Sequence, residues 1–125
     1  MGTILLSIKP EYAIKIINGT KKYEFRKHLA KEKIDKIILY ATFPEKKIIG
    51  EVEVIGTIAN KPSPLWETTK KTAGISRCKY RTYFKGCTIA YAYILGSAIK
   101  YDTPKQLSDL GLQMAPQSFV YIDDE

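Results

Sequence analysis

Six short runs rich in β-branched and aromatic residues divide this chain, and each is bounded by glycine, proline or polar residues. Apolar runs bounded in this way favour strands over helices. The predicted strands are residues 3–8, 21–27, 36–42, 47–58, 87–101 and 117–122. Gly50 and Gly56 lie inside the fourth run, where glycine marks bulges that curl a sheet.

Helical segments fall unevenly between these strands, with proline or serine near their starts and glycine at their ends. The predicted helices extend from Pro10 to Asn18, from the N-cap Ser63 to Gly74 and from the N-cap Ser76 to Gly86, with a short turn capped by Thr103. Residues 28–35 are polar and are predicted as a loop or a short helix. Because strands and helices do not alternate, we expect an α+β fold and not a doubly wound sheet. The expected architecture is a mixed, mostly antiparallel β-barrel with short flanking helices.

Length and composition restrict the class of protein. A chain of 125 residues is predicted to form a single domain, 1–125, that buries a core without disulfides. No apolar run reaches the roughly 18 residues that a membrane span needs. The segment "ILLSI" is too short for a signal-peptide core. We therefore expect a cytoplasmic protein with no membrane partner.

Soft metal ligands are scarce. Cys78 and Cys87 do not form a CxxC pair, and His28, the single histidine, is distant in sequence. These residues do not make a structural zinc site, so no metal and no cofactor are predicted. Both cysteines are expected to be reduced thiols, as is usual in the cytosol.

The net charge of +7 and the isoelectric point near 9.3 favour an acidic partner, most commonly nucleic acid. A solvated, lysine-rich surface is the alternative interpretation of the same composition.

The segment "KKYEFRK", residues 21–27, concentrates that charge in one predicted strand. Tyr23 and Phe25 would point to one face of the strand, and Glu24 and Arg26 to the other. Arg26 could then bind a phosphate or a base edge with two hydrogen bonds, and Glu24 could accept from an amine or hold Arg26 in place. The alternative is a surface ion pair worth about 0–1 kcal/mol.

Several segments in this order resemble the ASCH domain family of the PUA-like superfamily. They are "LLSIKPEYAIKIINGTKKYEFRK", "YATFP", "IIGEVEV", "LWETTKKTAGIS", "YFKG", "AYAY" and "APQSFVYI", and together they cover residues 3–122. The resemblance implies a PUA-like pseudo-barrel with a groove that binds RNA or a nucleotide-like ligand. The groove residues it implies are Lys9, Lys21, Lys22, Glu24, Arg26, Tyr40, Thr42, Glu51, Gln117 and Ser118.

Members of the family have other activities, which are alternatives for this chain. Some members are hydrolases that remove an acyl group from a modified cytidine with a lysine, a threonine three residues later and a glutamate after the next helix. Lys21 matches the lysine, but Glu24 stands at the threonine position and "KTAGI" contains no acid. A glutamate cannot replace a threonine nucleophile without changing the chemistry. Other members cut RNA, and one is a transcriptional coactivator, so a ribonuclease and a regulatory, protein-binding domain remain alternatives.

Aromatic residues in the second half of the chain have two interpretations. They could stack on unpaired bases, but their spacing is more typical of a core. The residues are Tyr80, Tyr83, Phe84, Tyr91 and Tyr93, with Trp66 placed either inward or at the mouth of the groove. Lys70, Lys71, Arg77, Lys79 and Arg81 would extend a basic rim or form a solvated helix face. No role is assigned to the acidic tail, residues 123–125.

Overall fold

The computed structural model of the chain describes residues 2–122. The strands are β1 (Thr3–Ile8), β2 (Tyr23–Arg26), β3 (Lys36–Ala41), β4 (Lys47–Asn60), β5 (Ala90–Lys105) and β6 (Phe119–Ile122). The α-helices are α1 (Pro10–Ile17), α2 (Pro62–Thr69) and α3 (Arg77–Phe84), and two short 3-10 helices span Lys70–Thr72 and Leu107–Leu110. The acidic tail lies outside the described residues.

The strands form a single mixed sheet in the order β2-β5-β4-β3-β1-β6. Only the β1–β3 pairing is parallel, and every other pairing in the sheet is antiparallel. The α+β prediction with a mostly antiparallel sheet is confirmed. The sheet is a half-barrel, because β2 and β6 form its two edges and do not pair with each other.

Curvature of the sheet comes from the long strands β4 and β5. Their register shifts between Ile48 and Gly50, and again between Val54 and Gly56, which confirms the bends expected at both glycines. At Gly50 a Cβ would lie 2.6 Å from the Cδ1 atom of Ile17 and closer still to the carbonyl oxygen of Ile99. A glycine is therefore needed where β5 and α1 approach β4 most closely.

Two predicted helix starts are wrong. Helix α2 begins at Pro62, with Lys61 as N-cap and no side-chain cap, because proline fits the first turn and starts the helix before Ser63. Thr103 lies inside β5, which continues to Lys105, and the turn that follows is capped by Gln106. The cap at Ser76 is confirmed, since its hydroxyl accepts a hydrogen bond from the amide of Lys79 at 3.1 Å.

The core occupies both faces of the sheet. Strands β1 and β3 are buried on both sides, as their unbroken apolar runs indicate. One face packs against α1 through residues such as Ile4, Leu6 and Ile16. A separate aromatic cluster lies under α2 and α3, where the Phe25 ring meets the edge of Tyr80 at a centroid distance of 5.0 Å.

Burial of three predicted aromatic residues supports their assignment to the core. Tyr80, Phe84 and Tyr93 are each no more than 3% exposed. The Tyr80 hydroxyl donates to the carbonyl of Pro62 at 2.7 Å, and burial raises the pKa of Tyr80 to about 12. Within residues 2–122, no helix has the length and apolar character required to span a bilayer.

Candidate functional site

A pocket of about 500 Å³ opens where the end of β1, α1, β2 and α3 meet. Four basic side chains and one carboxylate line it, together with aromatic and aliphatic groups. The lining residues are Ser7, Ile8, Lys9, Tyr12, Lys21, Glu24, Phe25, Arg26, Ile75, Cys78, Lys79, Thr82 and Tyr83. We call this cavity the polar pocket.

Arg26 holds the floor of the polar pocket together. Its Nε donates to Glu24 Oε2 at 3.0 Å, and its Nη2 lies 2.8 Å from the same oxygen. Nη2 also donates to the carbonyl of Ser7 at 3.1 Å, and Nη1 donates to Ser118 Oγ at 3.3 Å. Every nitrogen of the guanidinium therefore has a protein partner. The free fork expected from the sequence is absent, and the alternative role of Glu24, holding Arg26 in place, is the one observed.

The segment before β6 is fixed to the same point. The Ser7 amide donates to the carbonyl of Ser118 at 2.9 Å, and the Ser7 hydroxyl donates to the carbonyl of Pro116 at 2.7 Å. Because Arg26 belongs to the edge strand β2, its bonds to Ser7 and Ser118 link one edge of the sheet to the other. Side chains thus close the gap that backbone pairing leaves in the half-barrel.

Lys21 is buried to 3% exposure at the inner end of the pocket. Its Nζ donates to the carbonyl of Ala73 at 2.7 Å and lies 5.3 Å from the Tyr12 ring centroid and 5.1 Å from that of Phe25. Gly74 packs against the lysine stem, since a Cβ there would lie 2.5 Å from Cβ and Cγ of Lys21. The φ angle of +69° at Gly74 also favours glycine.

The environment of Lys21 changes its protonation. Burial lowers the pKa of Lys21 most strongly, Lys15 and Arg26 lower it further, and the carboxylate of Glu24 raises it in part. An ammonium that has lost its hydration is less stable than one in water, which is the cause of the main effect. Lys21 is therefore easier to deprotonate than an exposed lysine.

Aromatic rings form the apolar wall of the pocket. Tyr12 and Tyr83 are partly buried on opposite helices, and burial is the main cause that raises the pKa of each phenol. The Lys27 ammonium lies 5.0 Å from the Tyr83 ring centroid, so this ring meets a cation at its face.

The mouth of the pocket carries exposed cations. Lys9 follows β1 and is exposed, and Lys79 projects from α3 with 58% of its side chain exposed. The Lys79 ammonium lies 4.0 Å from Glu11, a weak contact at this exposure. These two lysines are available to a ligand, whereas Lys21 and Arg26 already have partners.

The structure brings together half of the residues expected to form the groove. Lys9, Lys21, Glu24 and Arg26 line the polar pocket, and Ser118 joins it through its bond to Arg26. Glu24 is buried, in contrast to the exposed face expected for it, because β2 meets the β1 end and α3 at this edge.

The other expected residues lie elsewhere. Lys22 and Gln117 are exposed and do not line the pocket, and Tyr40 is buried in a cluster with Leu5 and Ile48. The Thr42 amide bonds to the carbonyl of Ile8, and the Thr42 carbonyl accepts from the turn that follows.

Glu51 belongs to a different cleft on β4. It accepts from the Tyr101 hydroxyl at 2.7 Å and lies 3.9 Å from the Lys36 ammonium. Strand alternation alone does not show which face of a sheet carries a pocket, so Tyr40 and Glu51 could not be separated from the groove by sequence.

Several pocket residues were not expected from the sequence. Tyr12, Ile75, Cys78 and Thr82 line it, and none of them was given a role in the groove. Cys78 and Thr82 enter the pocket because α3 packs across the aromatic cluster beside β2, a long-range contact. The basic residues of α3 were the one feature of the sequence that indicated a contribution from this helix, and they include Lys79.

The sequence of this chain matches a known protein family. The model of the ASCH domain family matches residues 6–105. The chain belongs to the ASCH domain family. This confirms the resemblance drawn from the sequence motifs.

Relatives of known name share much of the chain. An ASCH domain-containing ribonuclease of Zymomonas mobilis is 33% identical over 92 residues, which is 73% of this chain and 62% of the relative. The large ribosomal subunit protein uL22 of Ureaplasma parvum is 30% identical over 96% of this chain. The chain spans only 39% of the length of that uL22 protein.

Solved structures agree with the fold. The crystal structure of ASCH from Zymomonas mobilis superposes with a TM-score of 0.89 at 29% identity, covering 98% of this chain and 88% of that one. The N-terminal domain of Staphylothermus marinus McrB superposes with a TM-score of 0.55 at 16% identity, covering 86% of this chain and 78% of that one. The similarity to the McrB domain is a similarity of fold alone.

The residue set of the acylcytidine hydrolases is incomplete in space as well as in sequence. The "KTAGI" segment, which contains no acid, reaches Lys21 through the backbone carbonyl of Ala73. Glu24, which stands at the threonine position, accepts a hydrogen bond from Arg26.

The lowered pKa of Lys21 predicts a specific dependence of stability on pH. The unfolded chain holds the Lys21 proton up to its ordinary pKa of 10.5, whereas the folded chain releases it earlier. More protons are then bound to the unfolded state in this window, so the Lys21 contribution to the free energy of unfolding rises with pH. Urea denaturation of both proteins from pH 7 towards 10.5 should show the free energy of unfolding of the wild type increasing relative to that of Lys21→Met.

Lys22→Met is the matched control, since it removes an exposed ammonium at the next position. It reports the effect of losing a surface ammonium, against which the pH profile of Lys21→Met is compared. A wild type that loses stability relative to Lys21→Met as the pH rises would contradict the assigned burial of the charged lysine.

Proposed function

We propose that the polar pocket binds one nucleotide of a single-stranded RNA. The observation that carries the proposal is the composition of the pocket, which joins aromatic walls, a fixed polar floor and free cations at the mouth. Single-stranded nucleic acids are bound by this combination, in which bases stack on aromatic rings and phosphates meet lysines.

Each part of the pocket has a task in this proposal. Tyr12 and Tyr83 supply faces for a base, and Lys9 and Lys79 meet the phosphates on either side. The ordered floor, in which Glu24 and Ser118 are held by Arg26, presents polar atoms to a base edge. Because these groups are already oriented, binding orders few side chains, which favours affinity.

Two further findings support a nucleic-acid ligand. The charge of +7 favours polyanions. A relative at 33% identity carries the name ribonuclease, and a protein that cuts RNA must also bind it. The proposal places the protein among RNA-binding modules, with a regulatory role in translation or transcription as its expected setting.

Salt dependence tests RNA binding directly. A labelled single strand of about ten nucleotides, measured by fluorescence anisotropy between about 50 and 200 mM salt, should bind more weakly as salt increases. Lys9→Ala/Lys79→Ala should lower the slope of log affinity against log salt by about 1.4, since each single-strand phosphate contact contributes about 0.7. We expect roughly a tenfold loss of affinity at the lower salt.

Lys31→Ala/Lys100→Ala is the charge-matched control. Both lysines are exposed and neither lines the polar pocket. Equal losses in the two double variants would assign binding to net charge and not to the pocket. An affinity for RNA that does not respond to salt, or none at all, would reject the proposal.

Cleavage of RNA is the second candidate function, and the state of Lys21 favours it. Burial lowers the pKa of Lys21, so this lysine gives up its proton more readily than an exposed lysine and can then accept one from a substrate. In this reaction Lys21 would take the proton of a ribose 2′-hydroxyl, whose oxygen attacks the adjacent phosphorus. The bond to the 5′-oxygen then breaks, and water or an acid protonates that oxygen, which leaves a 2′,3′-cyclic phosphate.

Incubation of the protein with a defined single strand, followed by mass analysis, tests this candidate. Products ending in a cyclic phosphate are expected, and Lys21→Met should reduce the rate by at least about a hundredfold while keeping RNA affinity. The Lys22→Met protein should cut at the wild-type rate. Intact RNA at saturating protein would leave the pocket as a binding site without this chemistry.

A further inference from the structure

A second cleft lies on the far side of α3. It has a volume of about 300 Å³ and is lined by Pro62, Ser63, Trp66, Glu67, Arg77, Tyr80, Arg81 and Phe84. We call it the Trp66 cleft. None of the ten groove residues implied by the family resemblance lines it.

Helix α3 is the partition between the two cavities. Cys78, Lys79, Thr82 and Tyr83 face the polar pocket, and Arg77, Tyr80, Arg81 and Phe84 face the Trp66 cleft. With side chains an α-helix is about 10–12 Å across, so one extended strand of a few nucleotides can reach both sides. The helix carries three cations and no acid.

Trp66 offers a stacking surface in this cleft. Its ring is partly exposed and is supported from behind by Tyr80, with 4.8 Å between the ring centroids and 47° between the planes. Arg77 and Arg81 are exposed on the same side of α3. An indole fixed by a buried tyrosine and flanked by two guanidinium groups fits a base with its neighbouring phosphates.

Glu67, the acid that lines the Trp66 cleft, is paired with a lysine. The Glu67 carboxylate lies 2.7 Å from the Lys70 ammonium, which is the main cause that lowers the pKa of Glu67. Glu67 is therefore charged but paired, and the balance of charge along α3 stays positive. The positive charge of α3 fits an anionic chain, and the partly exposed indole of Trp66 fits a base, so the occupant inferred is a nucleic-acid strand.

We propose that a single RNA strand crosses α3, with one nucleotide in the polar pocket and a second base stacked on Trp66. This inference rests on the proposed function and extends it from a one-nucleotide pocket to a track over two cavities. The arginines that face the Trp66 cleft hold the phosphates at the crossing. Affinity should therefore increase with RNA length until the strand spans the helix.

Tryptophan fluorescence tests the crossing in the unmodified protein, because Trp66 is its single tryptophan. An oligouridylate of about ten nucleotides should quench the Trp66 emission on binding, since stacking brings a base against the indole. A uridine dinucleotide should compete for the polar pocket, measured against labelled RNA, without quenching. Quenching that is equal for both lengths, or absent for the longer one, would overturn the crossing.

Arg77→Ala/Arg81→Ala is the corresponding variant. It should lose about tenfold in affinity for the longer strand, lose the quenching, and bind the dinucleotide as wild type does. Lys31→Ala/Lys100→Ala removes the same charge from exposed positions outside both cavities and should retain the quenching.

The outcomes separate this inference from the proposed function. Suppose that Lys9→Ala/Lys79→Ala weakens binding but Arg77→Ala/Arg81→Ala matches the control. RNA then binds the polar pocket without crossing α3, so the crossing is rejected and the proposed function is kept. If wild type binds neither RNA, both proposals fail.

Discussion

The guanidinium of Arg26 joins the two edges of an open sheet. Strand β2 lies at one edge and β6 at the other, and backbone pairing connects them only through the four strands between. Arg26 reaches across the open side to the Ser7 carbonyl and the Ser118 hydroxyl. The buried Glu24 carboxylate keeps the guanidinium in position. Because the charges of this pair are mostly removed from water, losing either one would leave the other without compensation.

The polar pocket is a consequence of this closure. The end of β1 and the start of α1 form one side, and β2 with α3 forms the other. Arg26 is bonded to Glu24, Ser7 and Ser118, whereas Lys9 and Lys79 at the mouth are exposed. Lys21 is kept apart by its bond to Ala73 and by two aromatic rings, which gives it a different chemistry from the exposed lysines.

Local patterns in the sequence predicted most of the strands and helices, but they did not predict which residues form the site. The apolar run of β1 and the glycines of β4 have local causes, so they could be read from neighbouring residues. The α2 start was misplaced because two prolines compete for the first turn, and only packing decides between them. The resemblance to the family was sufficient to assign Lys21, Glu24 and Arg26 to one site.

The remainder of the site depends on contacts between distant segments. Burial of Lys21 requires Ala73 and Gly74, which are more than fifty residues away. Tyr40 and Glu51 sit on neighbouring strands, yet one enters a core cluster and the other a separate cleft. Such placement follows from the curvature of the whole sheet, which no single segment encodes.

Hydrogen exchange in an Arg26→Met variant tests most directly whether this side chain couples the two edges. The amide of Ser7, bonded to the Ser118 carbonyl, and the amides of β6 should lose protection together with β2. Amides in the central β3–β4 pairing should keep the protection of wild type. Loss confined to β2, with Ser7 and β6 unchanged, would contradict the account, because the two edges would then be held independently of Arg26.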